Sequence, residues 1–293
     1  MIRWCAPAAV LILAACTGTA PPSNTSPASS NAVAGAIDIT VTPGRAVRGD
    51  ADMRTLEPHT SDLDGMIERG VIRILVAPGR THFETDNGVE RGRTVDAAAA
   101  FERFVNERIA PRSISVTLIA AEPASLIDDV ISGRGDIAAN VLQTFERDEK
   151  VAFAKPVRTG IRELIVTGPN EPRLVSLEDV GGRRIHVRRD SDHHASLIRL
   201  NAQLKSINRP PAQIVLTDGT DEELLDRVNA GTIPATLADD YIFDAVRPTR
   251  PNLSTNREVA VSQDGAIAWV TRKDAARLLE LINEFFSRHR LTF

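Results

Sequence analysis

The chain has 293 residues, with 35 Lys+Arg against 39 Asp+Glu, a formal net charge of −4 and a hydrophobic share of 42%. That length can bury one large core or two ordinary ones, and the mildly acidic balance excludes the strongly basic footprint of a nucleic-acid binder. Only two cysteines occur, Cys5 and Cys16, so neither a disulfide framework nor a thiolate metal centre is expected in the folded part.

Arg3 is followed by an apolar stretch at 6–15 and by Leu13-Ala14-Ala15-Cys16, the build of an export leader with a small-residue cleavage site. The apolar stretch is too short to span a bilayer, which needs ~20 residues. A Cys directly after Leu-Ala-Ala resembles the bacterial lipobox, which implies lipidation of Cys16 and removal of what precedes it. Thr17 replaces the Asp that resembles an inner-membrane retention signal, so the expected address is the periplasmic face of the outer membrane. Residues 17–58 are expected to be a flexible linker, because 17–32 hold Pro, Ser, Thr and Asn with almost nothing to bury. Within the linker, 36–41 alternates like a strand between polar flanks.

From residue 59 the pattern becomes that of a folded α/β chain. Ser61 and Asp64 predict a capped helix ending at Gly70. A buried strand is predicted at 72–77, then a helix at 94–109 with Val95, Ala98, Phe101, Val105 and Ile109 on one side. A strand at 114–120 follows. Further on come a strand at 163–167, a capped turn at 176–179, strands at 184–187 and 214–216, and between those two a helix at 191–205. Residues 247–257 read as a loop, 266–271 as a strand and 274–288 as a helix. Leu278, Leu281, Ile282, Phe285 and Phe286 give that last helix a wide apolar face, which is expected to return to the first lobe. Alternation of strand and helix predicts a mainly parallel sheet covered on both faces. The expected division is a first lobe of 59–158 and 259–293 and a second of 159–258, joined by a two-crossing hinge.

Two segments repeat in register. In 126–140 and 224–238 the pairs Leu126/Leu224, Asp128/Asp226, Val130/Val228 and Gly133/Gly231 recur, each copy being an apolar helix face ended by Gly and followed by a short strand. Arg147 lies just beyond the first copy and Asp239 just beyond the second. Two similar units, one presenting a cation and one an anion, suggest lobes that close on a zwitterion.

Thr144-Phe145-Glu146-Arg147, with Val151-Ala152-Phe153 after it, resembles the T-x-E-R…V-x-F segment of bacterial extracellular solute-binding proteins of family 3. A narrower resemblance, to the solute-binding-like regulatory module of membrane-bound lytic murein transglycosylase F and its relatives, rests on three stretches and a tail. They are Arg69-Gly70-Val71-Ile72-Arg73-Ile74-Leu75-Val76, Ile185-His186-Val187-Arg188-Arg189 with Ser196-Leu197, and Asn229-Ala230-Gly231-Thr232-Ile233-Pro234. The tail is Ala268-Trp269-Val270-Thr271-Arg272-Lys273-Asp274. The resemblance covers about 65–290 and implies a two-lobe periplasmic-binding-protein type 2 fold.

By that resemblance Arg147 grips a ligand carboxylate, the task to which a planar guanidinium is suited, and Thr144 belongs to its motif. Asp239 would hold the ammonium group, with Asp240 as the neighbour able to substitute. Ser191 and Asp192 match the loop that completes carboxylate binding. Phe83 stands where such proteins often place an aromatic wall. Two departures stand out: Asp192 puts a negative charge where a small hydroxyl residue is usual, and Leu142 replaces a ligand-contacting Ser. Competing structural roles are an Arg147 pair with Glu146 or Asp148, a helix cap for Asp239 and core packing for Phe83.

His186, His193 and His194, with Asp190 and Asp192, match no metal-ligand spacing, so neither metal nor cofactor is expected. The murein enzymes carry a general-acid Glu in a Glu-Ser context and a Gly-Leu-Met-Gln segment; neither occurs in these 293 residues, and no acid catalyst in a sugar cleft is visible. The expectation is therefore a binding protein, not an enzyme. It would take an amino acid or a cell-wall-derived peptide, with an ABC permease or a murein enzyme as partner. The alternative is a transglycosylase-related protein of cell-wall turnover.

Overall fold

The structure, a computed structural model, describes residues 57–290 apart from Asp190, together with two short strands before them, β1 (Ile37–Asp38) and β2 (Arg45–Ala46). The expected leader, Cys16 and most of the 17–58 stretch lie outside the described residues. Of the alternating 36–41 segment, only β1 is described.

Helix α1 (Leu63–Arg69) opens at Asp62 rather than at Ser61, because the Asp62 carboxylate accepts the Leu63 N–H at 2.7 Å. Gly70, left-handed at φ 76°, closes it as expected. The fully buried β3 (Val71–Val76) leads to β4 (Glu84–Asp86) and β5 (Val89–Arg91), a hairpin turned by Asn87 and Gly88, both at positive φ. Helix α2 (Arg93–Ile109), β6 (Ser115–Ala120), α3 (Leu126–Ile131) and β7 (Ile137–Leu142) complete the first half up to the short α4 (Phe145–Asp148) and β8 (Ala152–Phe153).

The chain then crosses in β9 (Arg158–Thr167). A capping box of Ser176 and Asp179 starts a single 3-10 turn, Leu177–Val180. Strand β10 (Arg184–Arg188), α5 (Asp192–Ser206), β11 (Gln213–Thr217), α6 (Asp221–Asn229), β12 (Ala235–Asp239) and α7 (Asp240–Val246) build the second half. The chain returns in β13 (Ser254–Thr271), α8 (Ala276–Arg288) and β14 (His289–Arg290), which pairs with β1.

One sheet runs through both halves in the order β11-β10-β12-β9-β13-β7-β3-β6, with β8 also on β13. Strands β6, β3 and β7 are parallel to one another, as are β11, β10 and β12. The central pair β9 and β13 is antiparallel to its neighbours and to itself. These two strands are the two crossings. The expected boundary at 158/159 coincides with the start of β9. The one at 258/259 falls inside β13, whose Val259 packs in the second half while residues from Ile267 pair with β7.

In the first half, Phe101, Phe104, Trp269 and Phe285 meet edge-on across α2, β13 and α8, so α8 does return there. In the second half, Ile165, Val187, Leu197 and Leu237 fill one core; Leu224, Leu225, Val228 and Phe243 fill another. The expected loop at 247–257 instead contains a 3-10 turn, Arg247–Thr249, and the first residues of β13. That strand begins twelve residues before the expected 266. Its early part is polar and bulged, shifting register against β9 repeatedly between Thr255 and Ala266.

One buried ion cluster ties α1, β3 and the entry to β7 together. The Asp136 carboxylate accepts from the Arg73 backbone N–H at 2.8 Å and from the Arg73 and Arg69 guanidinium groups at 2.9–3.1 Å; Arg73 and Asp136 are both fully buried. Arg73 also donates to the Glu57 and Gly133 carbonyls, each at 2.8 Å. Removing the carboxylate strands two buried guanidinium groups. Asp136→Ala is expected to lower stability by about 3–5 kcal/mol, read as a shift in the urea midpoint; an unchanged midpoint would show that the cluster contributes nothing.

Candidate functional site

A cavity of about 150 Å³ lies between the halves, and Arg147 and Asp239 both line it. Each arrives at the end of one repeat copy. In both copies a left-handed Gly, Gly133 at φ 77° and Gly231 at φ 72°, turns the helix into a strand (β7 and β12) running toward the cavity. Beyond β7, the Thr144 hydroxyl accepts the Arg147 N–H and starts α4, which fixes where Arg147 emerges. Thr144 itself does not line the cavity; it positions Arg147.

Arg147 pairs with neither Glu146 nor Asp148. Its two terminal nitrogens reach the two oxygens of Asp192 at 3.2 and 2.8 Å, and one also donates to the Leu142 carbonyl at 2.9 Å. Asp192 is the first residue of α5, and Ser191 caps that helix by accepting the His194 N–H while donating to the Arg188 carbonyl. A side chain of the second half thus sits in the guanidinium fork, the position in which the sequence reading expects a ligand carboxylate.

Asp239 occupies the position before α7, yet its side chain makes no capping bond. It turns to His193, whose Nε2 lies 3.3 Å from Asp239 Oδ1, while the other ring nitrogen faces Asp221 Oδ1 at 3.8 Å. Burial opposes charge on His193, but the Asp239 contact and the attraction of both carboxylates prevail and hold its pKa well above the ordinary imidazole value. Burial likewise opposes charge on Asp221, and His193 and Arg188 overcome it, bringing the carboxyl to about 2. Glu163 of β9 lies directly opposite Asp239 in the antiparallel register. Burial raises its carboxyl above the usual range.

Asp240 does not line the cavity, and its Oδ1 is buried without a hydrogen bond. Phe83 is 6% exposed and packs in the core of the first half, so it is no wall of this cavity. Its neighbour His82 takes that place. His82 Nε2 lies 3.0 Å from the Tyr241 hydroxyl and Nδ1 3.2 Å from the Asn140 amide. Burial and nearby Arg93 lower its pKa to about 4, so the ring is neutral near pH 7.

The halves also touch through Arg80 and Asp226 at 2.7 Å and through the Thr81 N–H and Glu222 at 2.9 Å. Glu163, Asp221, Glu222, His82 and Tyr241 were not foreseen as site residues. Their one sequence signal is Glu163, an acid set against Leu164-Ile165-Val166 in a strand that is otherwise apolar there. Among the lining residues five carboxylates (Glu163, Asp192, Asp221, Glu222, Asp239) face three cations (Arg147, Arg188, His193). Acidic side chains therefore outnumber basic ones around the cavity.

The family model for bacterial extracellular solute-binding proteins, family 3, matches residues 72–291. Membrane-bound lytic murein transglycosylase F of Maricaulis maris is 31% identical over 218 residues, which are 71% of this chain and 43% of that protein. The chain thus spans less than half the length of this relative. Among solved structures, an ancestral arginine-binding protein bound to arginine superposes with a TM-score of 0.60 at 20% identity, covering 74% of this chain and 91% of the other. An amino acid ABC transporter substrate-binding protein from Streptococcus pneumoniae, bound to L-arginine, gives 0.62 at 15% identity, with 77% and 91% covered. These likenesses establish the two-lobe type 2 periplasmic-binding-protein fold.

Glu222 is 3% exposed and receives the Thr81 N–H from the facing half. Glu222→Ala is expected to leave that N–H without its partner and to loosen the loop. Hydrogen exchange at Thr81 should accelerate about tenfold or more, given ~1–3 kcal/mol for such a lost bond. Unchanged exchange would mean the contact does not hold the halves.

Proposed function

The chain belongs to the bacterial extracellular solute-binding proteins of family 3, and on that premise we propose that it closes on a small amphoteric ligand, an amino acid or a cell-wall-derived peptide. The observation that carries this reading is that Arg147 and Asp239, on opposite halves, line one cavity. Arg147 receives the ligand carboxylate and Asp239 its ammonium group; the excess of carboxylates favours a ligand with a further basic group. Because Asp192 already fills the Arg147 fork, a carboxylate ligand must displace it, and the ligand's charge replaces an internal one.

The protein works as a binding subunit, not as an enzyme, in this reading. Cys16 would anchor it by lipid in the periplasm, at the outer membrane. Among the described residues no helix is long and apolar enough to cross a membrane. A second reading, a transglycosylase-related role in or over cell-wall turnover, is favoured by the 31% identity to a murein transglycosylase F. Sensing fits that context better than import, since an outer-membrane anchor keeps a capture subunit away from an inner-membrane permease.

A thermal-shift screen of amino acids and murein peptides is expected to find stabilisation by basic ligands and none by glutamate or aspartate. Asp239→Asn is expected to weaken the best ligand about a hundredfold or more in titration calorimetry, and unchanged affinity would refute the ammonium role. Asp192→Ser is expected to act in the opposite direction, strengthening carboxylate ligands several-fold by releasing Arg147. Were Asp192→Ser to weaken them instead, Asp192 would be a ligand contact and not a competitor.

A further inference from the structure

Glu163, His193 and Asp239 place one potential ligand atom each within 4.8 Å of one another. They come from β9, α5 and β12, and β9 and β12 hold the two carboxylates directly opposite each other. Like charges in that register repel unless a cation lies between them. In the protein as it stands the His193 ring answers Asp239 on one side and Asp221 on the other. Glu163 feels the same His193 charge, which it shares with those two carboxylates. The residue is 6% exposed, Ser196 hydrogen-bonds its carboxyl group, and its Oε2 is buried with no partner among the described residues. An acid oxygen buried without a partner is costly, and Glu163 offers a carboxylate oxygen to the cluster.

We propose that Glu163, His193 and Asp239 form a binding site for one divalent transition-metal cation of the Zn²⁺ class, with Asp221 orienting the histidine. Nitrogen and carboxylate donors suit such an ion rather than Mg²⁺ or Ca²⁺, which take oxygen alone. His193 Nε2 and Asp239 Oδ1 are 3.3 Å apart; ligand bonds of ~2.0–2.2 Å place neighbouring donors of a tetrahedral ion roughly 3.3–3.5 Å apart. The Glu163 donor lies within 4.8 Å of the other two, so closing the set on one ion needs its side chain to move inward. Asp221 beyond the far nitrogen supplies the carboxylate–histidine–metal order that fixes ring orientation at such centres. Three protein ligands leave a position open toward the cavity, so this is an exchangeable site and not a sealed structural one.

The sequence reading expects no metal because it tests His193 only against neighbours such as His194 and Asp192. The donors that meet it are 30 and 46 positions away and are brought together only by the β9–β12 register.

The test uses the full chain, stripped with EDTA and titrated with ZnCl₂ by calorimetry, with CoCl₂ as an optical probe. One equivalent is expected to bind, with cobalt showing the intense visible bands of a low-coordinate ion. Glu163→Gln and His193→Ala are each expected to weaken binding at least a hundredfold, and His194→Ala to leave it unchanged. Glu163→Gln keeps the side chain's shape and removes a like charge, so it separates loss of a ligand from loss of the fold, with circular dichroism as the check. Absence of binding to the wild type overturns the proposal, as does binding that survives Glu163→Gln or is lost in His194→Ala. Amino-acid binding by a metal-free protein would leave the solute-binding reading standing whatever the outcome here.

Discussion

The pairing of β9 with β13 is the constraint from which the rest of the molecule follows. These are the two strands that belong to both halves, and they lie antiparallel at the centre of a sheet whose flanks are parallel. Parallel flanks need helical crossovers, which keep each half compact and local. The two central strands need none, so they can carry the chain from one half to the other and back. Two crossings, unlike one, tie the halves at two points, which is the geometry of a hinge. The same strands deliver chemistry: β9 brings Glu163 opposite Asp239, and β13 brings Ile267 to the cavity lining and Trp269 to the core of the first half.

Internal ion pairs occupy the cavity even though its acids outnumber its bases. Arg147 has Asp192, and Asp239 has His193, so each of the two charges expected to meet a ligand already has an internal partner. Side chains of both halves supply the first pair, which therefore draws the halves together, whereas the second lies within one half. On the proposed reading, a ligand would replace these partners rather than fill an empty field. Its affinity is then a difference between two sets of similar contacts, and specificity turns on which groups do better than a carboxylate or an imidazolium held in place by the protein. The Arg147–Asp192 pair is partly open to water, at 26% and 41% side-chain exposure, so solvent screening makes it easy to exchange.

Much of this was legible in the sequence, for identifiable reasons. The repeat, its two left-handed glycines and the residues beyond them are local features, and they singled out Arg147 and Asp239, which line one cavity. The apolar face of α8 was equally plain and found the first half. The misses arise where partners are distant. The polar beginning of β13 lacks period-two alternation because its register against β9 shifts repeatedly. Phe83 and His82 differ by one position in a loop, and nothing local says which turns inward. Asp192 was recognised as a charge hostile to a carboxylate; that it would take the carboxylate's own place required knowing where α5 begins relative to α4. Glu163 carries a visible oddity, an acid in a buried strand, but its meaning rests on the strand opposite.

Asp62 has a role wider than starting α1. Its carboxylate also receives the Arg277 and Leu278 N–H groups at the head of α8, each at 3.0 Å. Arg272 donates to the adjoining Ser61 carbonyl at 2.8 Å, and Arg73 to that of Glu57. The segment from Glu57 to Asp62 is thus bolted to β3, to the end of β13 and to the head of α8, all in the first half. A pull on this segment would load the first half before it reached β9 or the start of β13.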